Sequence, residues 1–145
     1  MLADNTLIND IKAIIAGARE QAVRAVNHER PLMYWHIGQR IFEEEQRGKE
    51  RADYGAYLVQ MIAERLQPEF GSGFSKRQIE RYRQFYRVFP IAPALRTQLS
   101  WTQYKMLLSI DNEDKREFYI AESVKNNWSS RQLERQINSQ LYERL

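Results

Sequence analysis

The sequence predicts an all-α fold of six or seven helices containing two helix-turn-helix-like units. Three observations predict it. Apolar residues recur at spacings of three and four along most of the chain, the period of an amphipathic helix. No stretch alternates apolar and polar residues over a useful length, as a strand would. Six Gly and four Pro in 145 residues leave few turn signals, which favours a few long helices.

The first helix is expected from about Asp4 to Asn27, with Leu7, Ile11, Ile14, Ala18, Ala22 and Ala25 on its core face and Asp4 or Asn5 as its cap. A helical pattern resumes at Leu32 and runs to about Arg47, with Tyr34, Ile37 and Ile41 on one stripe and Gly48 as its stop. Pro31 is either the first residue of this helix or a kink in one longer helix. A third helix covers Tyr54 to Gln67, ending before Pro68, and Gly71-Ser72-Gly73-Phe74 is a turn by composition. Ser75 caps a fourth helix to about Phe89, after which Pro90 and Pro93 form a rigid connector. Ser100 caps a short helix, Asp111 caps the next one to about Asn126, and Ser129 caps a last helix reaching the C-terminus.

An internal repeat underlies the two helix-turn-helix-like units. Phe74-Ser75-Lys76-Arg77-Gln78-Ile79-Glu80-Arg81 matches Trp128-Ser129-Ser130-Arg131-Gln132-Leu133-Glu134-Arg135. In both, Ser caps a helix start, the preceding aromatic staples onto the first turn, and Ile or Leu points into the core.

Charge is distributed unevenly. The formal net charge is +3, but between Ser72 and Arg96 six basic residues face a single acid, Glu80. Between Glu43 and Glu50 the balance is acidic. On the Ser75–Phe89 helix, Ile79, Tyr82, Phe85, Tyr86 and Phe89 share the core side, while Lys76, Arg83 and Arg87 line the other with Arg77 and Gln84 beside them. Cations at a helix start oppose the macrodipole, so a phosphate there would satisfy dipole, N–H groups and side chains together. The candidate nucleic-acid-binding residues are Ser75, Lys76, Arg77, Gln78, Arg83 and Arg87, with Arg131 from the second copy of the motif. Lys76, Arg77, Arg83 and Arg87 are expected to be solvent-exposed.

No enzymatic constellation is legible. The chain has no Cys, which excludes disulfides, thiolate metal sites and cysteine nucleophiles. His28 and His36 lie eight residues apart without a carboxylate at ligand spacing, and Glu43-Glu44-Glu45 point different ways around a helix. No phosphate loop or catalytic triad motif is present. The expectation is that the chain has no catalytic residues, metal or cofactor and is not an enzyme. Trp35, Trp101 and Trp128 are read as core. No apolar run approaches the ~20 residues that span a bilayer, and the N-terminus does not read as a signal peptide, so the expected location is cytoplasmic.

Five ordered blocks resemble the N-terminal domain of the YhcG-like proteins. They are Tyr34-Trp35-His36-Ile37-Gly38; Gly73-Phe74-Ser75-Lys76-Arg77-Gln78; Leu99-Ser100-Trp101-Thr102-Gln103-Tyr104; Arg116-Glu117-Phe118-Tyr119; and the stretch from Trp128 to Ile137. The resemblance covers nearly the whole chain. It implies a single helical domain over 1–145, divided into a long N-terminal helical region (1–50) and a helix-turn-helix-like region (51–145). It also implies that a C-terminal PD-(D/E)XK nuclease domain follows in the full-length protein. The expected function is therefore a non-catalytic DNA-binding accessory domain of a nuclease. The alternative is a dimerisation or protein–protein interaction module without direct nucleic-acid contact. A homodimer through the Asp4–Arg47 region is expected, because two long helices would expose more apolar stripe than one core covers.

Overall fold

A computed structural model of the chain describes residues 2–22, 29–48, 50–91 and 98–145. These contain seven α-helices and one 3-10 turn, and no strand among the described residues. The helices are α1 (Leu2–Ala22), α2 (Glu29–Arg47), α3 (Tyr54–Phe70), α4 (Lys76–Val88), α5 (Trp101–Leu108), α6 (Glu113–Asn126) and α7 (Ser130–Asn138). The all-α expectation holds. None of the described helices is long and apolar enough to cross a membrane.

The chain divides into two compact units, 1–92 and 93–145. The reason is packing. In the first unit, α4 lies against α2 and α3, and α1 lies against α2, so the four helices share one core. Leu7, Ile8, Ile11 and Ile15 of α1 are buried with Ile37 and Ile41 of α2, Leu58, Ile62 and Leu66 of α3, and Ile79, Tyr82 and Phe85 of α4. Of the expected core face, Leu7 and Ile11 are buried, Ile14 and Ala18 are half-buried, and the Ala22 and Ala25 side chains lie outside the described residues; Ile8 and Ile15 are buried beside them. Among the described residues, the large apolar side chains that remain exposed are Leu2, Tyr57, Ile91 and Leu145.

Helix starts and stops follow local physics with several corrections. The first helix begins at Leu2, so Asp4 and Asn5 lie inside it rather than capping it. Both bond to α3 at the surface instead: Asp4 accepts from the Tyr57 hydroxyl (2.6 Å) and Asn5 from Arg65 (3.2 Å). Pro31 sits within the first turn of α2, where a missing N–H costs no helical bond. Whether 23–28 continue α1, as the Asn27 boundary supposes, lies outside the described residues, as do His28, Ala25 and Pro93. Helix α3 runs past Pro68 to Phe70, and the Gly71 N–H still closes onto the Gln67 carbonyl (2.8 Å). Gly71, at φ 88°, then reverses the chain in the left-handed region.

In the second unit, α5, α6 and α7 pack on one another around Tyr104, Leu107, Tyr119, Ile120 and Leu133. Asn112, not Asp111, caps α6 and accepts from the Lys115 N–H (2.9 Å). Asn127 ends α6 in the left-handed conformation. Helix α7 stops at Asn138, short of the C-terminus. Gln140 (φ 59°) turns the chain back so that Tyr142 meets the Phe118 ring and its N–H donates to the Tyr119 hydroxyl (3.2 Å).

Candidate nucleic-acid interface

The start of α4 is built from three elements. The Ser72–Phe74 3-10 turn delivers the chain from Gly71 to Ser75, and the Tyr82 hydroxyl donates to the Gly73 carbonyl (2.6 Å), anchoring that turn to α4. Burial, then the neighbouring Tyr34 phenol, pushes the Tyr82 pKa well above the ordinary phenol value, so Tyr82 stays a donor. Ser75 caps α4 by accepting the Gln78 N–H (3.3 Å), as expected.

The cap motif occurs three times, not twice. Ser100 accepts from Gln103 and Ser129 from Gln132, each at 3.2 Å, and in both cases the Gln side chain accepts the Ser N–H in return. The shared pattern is apolar-Ser-x-x-Gln-apolar, which the longer repeat around Arg and Glu obscured. Gln103 also donates to the Trp128 carbonyl (2.7 Å), tying the start of α5 to that of α7. At α4 the arrangement differs. The Ser75 N–H goes to the Ser72 carbonyl (3.2 Å), and the Gln78 carboxamide makes no hydrogen bond among the described residues. The first motif thus leaves a half-buried Gln side chain uncommitted beside the cap.

The cations separate into two groups. Lys76 and Arg77 are exposed in the first turn of α4, with no acidic residue in that turn and no ion pair among the described residues. Arg131 stands likewise exposed in the first turn of α7. Arg83 does not meet the expectation of exposure. Its side chain is 21% accessible, and it closes on Glu45 of α2 through both Nε and Nη2 (Nη2···Oε2 3.0 Å). Arg87 is about half exposed (52%), with Nη2 at 3.6 Å from the same carboxylate. The acidic block of α2 and the basic helix α4, distinct in sequence, are partners in space. Gly55 makes room for this pair, since a Cβ there would run into the Arg83 guanidinium.

The remaining candidates fall as follows. Glu44 is buried and bonds Arg40 (3.0 Å), which also reaches Asp10 (2.8 Å), so Glu44 and Glu45 serve separate ion pairs. Trp35 is core and donates to the Phe89 carbonyl (2.6 Å), whereas Trp101 and Trp128 are half-buried. His36 is exposed at the edge of Trp35.

The family described as DUF1016 N-terminal domain matches residues 10–144. A protein of Escherichia coli (strain K12) named "Putative nuclease YhcG" is 34% identical over 163 aligned positions, which cover 90% of this chain. This chain spans 44% of that relative's length. No solved structure matches. These relations overturn one expectation. The chain was expected not to be an enzyme because no catalytic motif is legible, yet a relative aligned over nearly all of it carries the name of a nuclease. Absence of a linear motif is a poor guide here, because catalytic side chains assemble from positions far apart in sequence. The resemblance to the YhcG-like proteins stands, and the chain belongs to the DUF1016 N-terminal domain family.

Proposed function

We propose that this chain is the DNA-binding region of a nuclease-family protein and that the leading end of α4 makes the contact. The observation that carries the reading is the separation of the cations. Lys76 and Arg77 stand exposed in the first turn of a well-capped helix with no ion pair among the described residues, while Arg83 is consumed by Glu45. A helix start bearing two exposed cations, an uncommitted Gln and outward N–H groups is suited to a phosphate with a base edge beside it. We read α3, the 3-10 turn and α4 as a helix-turn-helix-like unit, with Ser75, Lys76, Arg77 and Gln78 at its recognition end. Arg87 and Arg131 are secondary phosphate contacts. Arg83 enters as the residue that holds α4 against α2. The nuclease connection rests on the name of the Escherichia coli relative and on family membership.

The test is DNA affinity measured over a range of salt concentrations for wild type and for Lys76→Gln/Arg77→Gln. Each lost phosphate contact should flatten the slope of log affinity against log salt by about one unit. An unchanged slope with unchanged affinity would remove α4 from the interface and favour a protein-binding module.

A further inference from the structure

A cleft of about 600 Å3 opens in the first unit between α1, α2 and the turn that precedes α4. It is lined by Tyr34, Phe70 and Phe74, the Gly71-Ser72-Gly73 turn and Arg30, and of the three aromatics Phe70 is the half-buried one, while Tyr34 and Phe74 reach the cleft with little more than an edge. Among the described lining residues Arg30 is the one charged side chain, and none is a carboxylate. It is exposed and makes no ion pair among them. It lies close enough to the Tyr82 hydroxyl to act against the rise that burial imposes there, as Arg81 also does. Tyr34 is held rigid by parallel stacking on Tyr82, with centroids 4.3 Å apart. At Gly71, a Cβ would meet nothing within 4 Å, and at Gly73 its nearest neighbour would be 3.9 Å away. Both glycines therefore leave the turn's backbone open to close approach.

We infer that this cleft receives one unpaired nucleotide of the DNA that α4 engages, so that the domain prefers duplex carrying a single-stranded tail. The inference rests on the DNA-binding reading above and extends it to the form of the substrate. The volume lies in the range of small-ligand sites, roughly 300–1,000 Å3, and a base within a pair is too wide to enter. Aromatic side chains accept a base face whatever its identity, a guanidinium answers a phosphate, and backbone groups of the turn reach a base edge. The same 3-10 turn forms part of the cleft wall and leads into the Ser75 cap, so the cleft and the phosphate-contacting helix start are a few residues apart on one rigid element.

The experiment compares a blunt duplex with the same duplex carrying a short single-stranded tail that holds 2-aminopurine at the junction. It uses the whole 145-residue chain. Wild type should bind the tailed duplex about tenfold more tightly, a factor within reach of stacking one base on aromatic side chains, and the probe's fluorescence should change as it leaves the DNA stack. Arg30→Gln and the cleft-filling Ser72→Trp should each abolish that preference and that signal while leaving blunt-duplex affinity unchanged. Both positions are exposed, so melting should be preserved. Equal wild-type affinity for tailed and blunt DNA, or a preference that survives both substitutions, would overturn the inference and leave the α4 reading intact. Absence of binding to either duplex would instead overturn the α4 reading and this inference with it.

Discussion

Arg83 on α4 grips Glu45 on α2 through two guanidinium nitrogens, with Nη2 at 3.0 Å from Oε2 and both side chains mostly shielded from water. A cation that a helical wheel assigns to the outer, nucleic-acid face is thereby part of the joint between two helices. Replacing Arg83 with Gln should destabilise the first unit by about 2 kcal/mol, because the partly buried carboxylate left behind keeps only the longer contact to the half-exposed Arg87. A double-mutant cycle with Glu45→Gln, followed by urea denaturation, should return a coupling of at least about 1 kcal/mol. Additive effects would mean the pair contributes no more than an exposed ion pair.

The two cations of the first turn should behave in the opposite way. Single changes of Lys76 or Arg77 to Gln should move stability by no more than about 0.5 kcal/mol, since neither is buried or paired among the described residues. Arg131→Gln should be equally silent in melting. Thermal melts of the three variants check this, and a loss comparable to that of Arg83→Gln would show that these side chains have structural partners.

Gly38 on α2 sits against the Tyr82 carbonyl of α4, and an added Cβ would overlap that backbone and press on the Tyr86 Cβ at 3.0 Å. Backbone cannot step aside as a flexible side-chain end can. Gly38→Ala should therefore cost about 3 kcal/mol by forcing α2 and α4 apart. Gly17→Ala is the control. It lies within α1 with nothing within 4 Å of the added atom, and should stabilise the chain by about 0.5–1 kcal/mol through helix propensity. Denaturation midpoints moving in the same direction for both would contradict the close α2–α4 approach.

Tyr82 predicts an alkaline limit. In the unfolded chain a phenol loses its proton near pH ~10, while burial beside Tyr34 keeps Tyr82 protonated to higher pH. Above that pH the unfolded state binds fewer protons than the native state, so stability falls as pH rises, by up to about 1.4 kcal/mol per pH unit from this group. Below the ordinary phenol value its contribution is fully present. Tyr82→Phe should remove this component of the slope. It should also cost about 1 kcal/mol at neutral pH through loss of the bond to the Gly73 carbonyl. Identical stability slopes above that pH in wild type and variant would count against the buried, hydrogen-bonded phenol.

What the sequence determined by itself is local. Ser75, Ser100 and Ser129 announce helix starts because a hydroxyl one residue ahead of the first turn satisfies a free N–H whatever surrounds it. The aromatic face of α4 is legible because a 3.6-residue period places Ile79, Tyr82 and Phe85 on one side of any helix. Tertiary structure decided what depends on a partner distant in sequence. Asp4 looked like a cap, but α3 passes close enough for Tyr57 to claim it. Glu45 and Arg83 are 38 residues apart, and only the packing of α4 on α2 turns two charge blocks into a joint. The same packing leaves Lys76 and Arg77 outside, with no ion pair among the described residues. The cleft beside them draws its wall from α1, α2, the end of α3 and the turn before α4, positions that share no spacing and become neighbours when the chain folds. Periodicity reports which way a side chain points from its own helix, whereas its availability to a ligand depends on what the rest of the chain places opposite it.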